Sequence, residues 1–271
     1  AFDSIFSRAS TAARSIAGGA IESKALTQNG STIYQGAFDT ANWSGDLLAI
    51  PVNVDTNNNV TIGSANTWSG SERLAAMTAP ATTRNIVIGN GSGATSPVAS
   101  SFTWDSISTT IKGHLNKPSA SAAADGRGQD RLNYLRGSSA NEGSLFRRRN
   151  NKLLGDIINS GVVFSGAPTT AISSTTYAAF REANKTRTPA VFVGANAGML
   201  HAFNADTGNE LFGYIPSWLA PKLSDLTSPS YVQNHQSYVD GPPVIAEAEI
   251  GTAGTSADWR TVLVSGTRAR G

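Results

Sequence analysis

The chain has 271 residues, of which 39% are hydrophobic and 15% charged, enough for a buried core and unlike a disordered or fibrous protein. A formal net charge of +2 does not by itself point to a nucleic-acid surface, and the absence of cysteine excludes a disulfide framework, cysteine-ligated zinc and thiol catalysis. No apolar run is long enough for a membrane-spanning helix, and AFDSIFSRAS lacks the basic start and apolar middle of a secretory signal.

In residues 2–21, Phe2, Ile5, Phe6, Ala9, Ala13, Ile16, Ala17, Ala20 and Ile21 recur at spacings of three and four, which predicts an amphipathic helix weakened at Gly18 and Gly19. Residues 1–30 are accordingly expected to form a helical lead-in or linker. From Ser31 the pattern changes to short strand-like runs, STIYQGAF, GDLLAIPVNV, NVTIG and RNIVIG, with a tight turn at DTNN. Residues 91–101 and 116–128 are rich in Ser, Ala, Gly and Pro and read as loops, while SFTWDSISTTIKGHL fits either a strand or a short helix. QDRLNYLRG predicts a short helix ended by Gly137, and GVVFSG a buried strand. VFVG, MLHAF and ELFGYI follow as three strands separated by ANAG and NADTG. Such a meander cannot bury both faces alone, and radial stacking of like sheets in a β-propeller solves that problem. PPVIAEAEI and DWRTVLVSG read as the start of a further sheet.

Few residues nominate chemistry. Asp55, Asn57 and Asn59 mimic the first, third and fifth ligand positions of a calcium loop. Val60 replaces its turn glycine, however, and Asn66 stands where a bidentate glutamate is required, so a hairpin turn is expected there. The run GNGSGA is followed by Pro97, which leaves no helix to hold a dinucleotide. His114, His201 and His235 lie far apart without a second ligand at helical spacing, and His201 is expected to be structural. Arg147, Arg148 and Arg149 head the densest basic region; contact with a polyanion is one reading, ion pairing with neighbouring acids the expected one. No catalytic residue, cofactor site or confident metal site emerges.

The run VFVGANAGMLHAFNADTGNELFGYIP resembles the blade motif of quinoprotein-type propellers, and more closely its form in the PilC/PilY family of type IV pilus tip proteins. YQGAFDTANWSGDLLAI, DRLNYLRG, FRRRNNKLLGDIINSGVVFSGAP, YVDGPPV and DWRTVLVSG occur in that family's order, so the resemblance covers roughly residues 31–266. Ala197 replaces the usual aspartate of the family's turn, and TRARG stands in place of a glycine-rich run. The resemblance implies an all-β fold: the N-terminal portion of a β-propeller over residues 31–271, in a piece of a longer protein. It also assigns blade-turn roles to Gly194, Asn196, Gly198, Asp206, Thr207 and Gly208. The implied protein is a non-enzymatic, extracellular component at the pilus tip or cell surface that supports pilus assembly, twitching motility and adhesion. Its implied partners are minor pilins, a host or abiotic surface and the rest of the propeller, with no nucleic acid. Family members can carry a calcium site, and the resemblance assigns any such site to that remainder, with no cofactor in this segment. The alternatives are a quinoprotein-type dehydrogenase, which would need an acidic cofactor pocket not visible in the sequence, and a carbohydrate-binding or scaffolding propeller unconnected with pili.

Overall fold

A computed structural model describes residues 15–21, 31–57, 59–91, 99–250 and 259–267. Strands β1 (Ser15–Ile21), β2 (Ser31–Asp39), β3 (Ser44–Val54) and β4 (Val60–Ile62) form an antiparallel meander in chain order. The short β5 (Trp68–Ser69) extends it by pairing with β3 beside β4. The helix predicted over residues 2–21 is therefore corrected: Ser15–Ile21 is a strand, and residues 2–14 lie outside those described. Gly18 and Gly19 suit a strand irregularity better than a helix interior, and the register indeed shifts between Ile16 and Gly19.

The second sheet is built around β8 (Val162–Ser165), β9 (Ala190–Ala195), β10 (Met199–Asn204) and β11 (Glu210–Ile215), again antiparallel neighbours in chain order. β6 (Ile86–Gly89) joins this sheet parallel to β11, and β7 (Ala99–Ser101) pairs with β6, giving six strands. β12 (Val244–Glu249) and β13 (Trp259–Val264) pair antiparallel as a third sheet. Apart from the strand-like FRRRN of the basic region, the runs read as strands thus fold as strands.

The all-β expectation is corrected, because helices occupy many of the segments between strands. They are α1 (Gly70–Ala75), α2 (Pro80–Thr83), α3 (Thr109–Leu115), α4 (Gly128–Arg136), α5 (Thr175–Ala183) and the 3₁₀ helix Ser217–Thr227. Ser69, Ser108 and Ser174 cap α1, α3 and α5, each side chain accepting from a backbone N–H three residues on. Gly137 ends α4 at φ +120°, a conformation its missing Cβ permits. The ambiguous SFTWDSISTTIKGHL resolves into helix over its last seven residues, Thr109–Leu115.

Alternation along the strands decides which residues face which layer. Val191, Val193, Ala195 and Phe203 turn toward the first sheet and share a core cluster with Tyr34, Leu47, Ala49 and Trp68. A second cluster lies under the helices: Ile86, Ile88 and Ile215 from the strands meet Leu115, Leu132, Leu219 and Leu223. Each such fully buried aliphatic side chain stabilises the fold by about 1.5–3 kcal/mol. α5 docks on β13 through Tyr177 and Trp259, whose rings meet edge to face at 4.8 Å.

Candidate functional site

The turn between β9 and β10 comprises Asn196, Ala197 and Gly198, and its asparagine is the centre of a buried polar hub. Asn196 donates from Nδ2 to Asp156 Oδ2 at 2.7 Å and from its backbone N–H to the Asp156 carbonyl at 3.0 Å. Its Oδ1 accepts the Tyr238 N–H at 2.8 Å. Asp156, fully buried, also meets His235 Nε2 at 2.9 Å. The His235 ring stacks on Trp43 with centroids 3.7 Å apart, and Trp43 Nε1 donates to the Val232 carbonyl at 2.9 Å. Trp43 adopts φ +50°, a strained conformation for a bulky side chain, held here by these two contacts. The hub thus fastens the β2–β3 turn, the segment before β8, the β9–β10 turn and the loop leading to β12. Burial, reinforced by nearby Asp156, pushes the Tyr231 hydroxyl above its ordinary value and keeps it neutral beside the hub.

The other blade-turn residues divide. Gly198, at φ +84°, and Gly208, at φ +74°, take left-handed turn conformations, and a Cβ on Gly208 would meet the Trp68 ring at 2.6 Å. The backbone N–H groups of Asp206 and Thr207 donate to Asn204 Oδ1, forming the β10–β11 turn. Gly194 is not a turn residue: it lies within β9, where a Cβ would sit 2.5 Å from the Val239 carbonyl oxygen. Its N–H donates to Ser160 Oγ at 2.9 Å.

In the basic region, FRRRN is a turn-flanked segment and not a strand. Arg149 is buried; its Nε lies 2.7 Å from Glu142, its amino groups donate to the Tyr134 and Ser138 carbonyls, and its guanidinium rests 3.6 Å over the Tyr134 ring. Arg147 lies over the Tyr231 ring and donates to the Asn42 carbonyl. Arg148 is exposed, its guanidinium against Gly143. Two of the three arginines are therefore committed to internal contacts.

A buried charge cluster escaped the sequence reading. Arg84 forks onto Glu210 at 2.7 and 2.8 Å, and Glu210 Oε1 also meets His201 Nδ1 at 2.8 Å. Burial raises the Glu210 pKa, but the Arg84 fork and His201 outweigh it, lowering the value from 4.5 to about 2. His201 Nε2 has no partner. Arg84 and Glu210 stand 126 residues apart, so no local spacing could have paired them.

Asp55 closes the β3–β4 hairpin: its Oδ1 accepts the N–H groups of Asn57 and Asn59, and Asn59 Nδ2 donates to Oδ2. Its carboxylate is occupied by the turn in this exposed loop. Among the described residues no group of three or more His, Asp or Glu side chains is placed to hold a metal. An apolar cleft of about 460 Å³ opens between the second sheet and the end of β13, lined by Leu200, Phe212, Tyr214, Trp218, Val239 and Leu263 among others. Carboxylate and imidazole groups are absent from its lining, so it favours apolar contact over acid–base chemistry.

A family model described as the PilY1 beta-propeller domain matches residues 154–271. The chain is 41% identical over 248 residues to the type IV pilus biogenesis factor PilY1 of Pseudomonas aeruginosa strain PAK, covering 88% of this chain and 20% of that protein. It is 34% identical over 275 residues to a type IV pilus biogenesis factor PilY1 homolog of Xylella fastidiosa strain Temecula1, covering 98% of this chain and 20% of that one. The chain thus spans about one fifth of the length of these curated relatives. No solved structure matches it significantly. Along most of its length the chain is thus similar to type IV pilus biogenesis factors named PilY1, and its residues 154–271 match the PilY1 beta-propeller domain.

Proposed function

We propose that the protein containing this chain is a non-enzymatic, exported component of the type IV pilus tip that supports pilus assembly, twitching motility and surface adhesion. The observation that carries this reading is the 41% identity, over 88% of the chain, to a protein named as a type IV pilus biogenesis factor. Residues 31–271, joined by β1 (Ser15–Ile21), form the N-terminal portion of its β-propeller, and the two four-stranded meanders β1–β4 and β8–β11 support that arrangement. The polar groups of the hub and of the Arg84–Glu210 cluster serve to hold loops and sheets in fixed relation, which suits a rigid scaffold presenting variable loops. Minor pilins and a host or abiotic surface are its partners, met through noncovalent contacts, and neither nucleic acid nor a cofactor in this segment is required.

The test is an in-frame deletion of the gene, scored together for surface pili, twitching and attachment. Loss of all three, restored by the intact gene, is expected. Normal piliation, motility and attachment in a strain without a paralogue would overturn the reading; loss of attachment alone would retain the adhesin role and remove the assembly role.

A further inference from the structure

The arginine-rich segment between α4 and β8 brings three cations to one small cavity. The Arg147 N–H donates to the Thr227 carbonyl at 2.9 Å, and its guanidinium donates to the Asn42 carbonyl at 3.3 Å while lying 4.3 Å over the Tyr231 ring. Arg149 is held by Glu142 and by the Tyr134 and Ser138 carbonyls. Asn150 and Asn151 follow with φ of +51° and +62°, a conformation asparagine tolerates better than other residues with a side chain. The chain doubles back there, and the Lys152 N–H donates to the Arg149 carbonyl at 3.1 Å. Arg147, Arg149 and Lys152 thereby line a single cavity of about 20 Å³.

The charges around this cavity do not balance. No carboxylate lines it, and of the three cations only Arg149 has a carboxylate partner, Glu142. Arg147 meets a carbonyl, an aromatic face and the Tyr134 hydroxyl, and Lys152 forms no ion pair among the described residues. The acids nearby are engaged elsewhere. Asp156 is taken by His235 and Asn196. Asp39 and Asp46 border a separate crevice that Lys152 also touches, where Asp39 accepts the Ala41 N–H and Asp46 accepts Ser69 Oγ and the Ser71 N–H. The other walls of the cavity are apolar or small: Leu135, Leu153 and Leu226, with Gly155 so near Ala197 that an added Cβ would fall 2.8 Å from the alanine methyl. Such walls reduce the screening of charges directed between them. Arg147, Lys152 and Ala197 are only half-buried, which leaves an ion a way in from solvent.

We propose that this cavity binds one small monovalent anion of the size of chloride, held by Arg147 and Lys152 with Arg149 beside them. A space of about 20 Å³ takes roughly one particle on the scale of a water molecule, which excludes phosphate and sulfate. A neutral water would leave the half-buried cations uncompensated, whereas an anion accepts charge-assisted hydrogen bonds from them. Because Gly155 and Ala197 both border the space, the bound anion fastens the segment before β8 to the β9–β10 turn that carries Asn196. It adds an ion-dependent tie to a junction whose other ties are internal hydrogen bonds. The inference stands on the charge balance of this segment and not on the pilus role.

The experiment uses the full-length natural protein in sodium methanesulfonate, whose anion is too bulky for the cavity, with chloride substituted at constant ionic strength. Hydrogen exchange in residues 147–155 is expected to slow by about fivefold or more. The response should saturate below about 0.15 M chloride, the physiological ionic strength. Bromide diffused into crystals of the same protein should give anomalous density between Arg147 and Lys152. Lys152→Met, which keeps the apolar stem and removes the charge, should lose the chloride response. Ala197→Asp, which supplies a carboxylate from the wall, should exchange slowly even without chloride. Identical exchange in the two salts, or bromide density absent from the cavity, would overturn the proposal and leave water there. So would a chloride response retained in Lys152→Met, which means a general salt effect. Phosphate or sulfate acting at lower concentration than chloride would overturn it as well, since the site would then hold a larger oxyanion. The bromide measurement needs no substitution and decides the matter even where a variant fails to fold.

Discussion

Glu210 shows how much of this protein's chemistry is spent on holding itself together. Its carboxylate is ionised between Arg84 and His201 in a site with almost no solvent exposure, with Arg136 donating to the Arg84 carbonyl alongside. Breaking one partner of such a buried pair leaves the others uncompensated, so Glu210→Gln should cost about 3 kcal/mol at neutral pH, read as a lower urea midpoint. The pH dependence has a definite sign. A carboxylate with a depressed folded pKa stabilises the fold above its unfolded value and loses that contribution as pH falls, here from 4.5 toward about 2. The gap between the natural protein and Glu210→Gln should therefore be full at pH 7 and shrink across that acid window. Asp125, lowered to about 2 chiefly by its hydrogen bonds from Arg131, adds acid sensitivity in both proteins alike and cancels in the comparison. A gap that stayed constant down to pH 2 would refute this account. Of the residues involved, the sequence singled out only His201, and gave it a structural role without its partners. Asn196 was legible as a turn residue because Asn and Gly mark turns. Its contact with Asp156, forty residues earlier in the chain, was not.

At the scale of elements, strands were the readable part and helices the less readable one, with α4 the exception, since QDRLNYLRG and its terminating Gly137 marked it. VFVG, MLHAF and ELFGYI are short apolar runs separated by turn residues, so their identity as strands survives without tertiary context. The helices α3 and α5 begin with Ser-Thr-Thr, at Ser108 and Ser174, and their threonine content resembles strand or loop composition. The capping serine was the available signal in each, and it becomes decisive only once the following apolar residues have a surface to bury. The N-terminal stretch failed in the opposite direction: apolar spacing suggested a helix, while pairing with β2 made Ser15–Ile21 a strand. Gly194 joins element to loop, because the Val239 backbone passes where a side chain would be. Gly194→Ala should force that loop outward, at a cost of about 1–3 kcal/mol by analogy with overpacking. Faster hydrogen exchange at the Tyr238 amide, which Asn196 accepts, is the specific readout; unchanged exchange there would show that the loop adjusts without releasing the hub.

For the whole molecule, the sheets are not independent units. The core between the first and second sheets draws Leu47 and Ala49 from one and Val191 and Val193 from the other, and the hub joins both to the loop before β12. Leu47→Ala and Val193→Ala should consequently lower one and the same thermal transition, each by about 2–4 kcal/mol of stability, seen identically by far-ultraviolet circular dichroism and tryptophan fluorescence. Two separated transitions, each answering to one substitution, would contradict this coupling. Shared cores of this kind are invisible to periodicity, which shows that a strand has an apolar face but not which sheet covers it. The parallel pairing of β6 with β11 carries the coupling one step further. Ile86, Val87 and Ile88 lie alongside Gly213, Tyr214 and Ile215 pointing the same way, although most of the second sheet's chain separates them. Tension entering the chain at the start of β6 and leaving at the end of β11 pulls on opposite ends of the pair. The bonds between them are then loaded together in shear instead of being peeled one at a time, which makes this junction a mechanical clamp along the direction of pull.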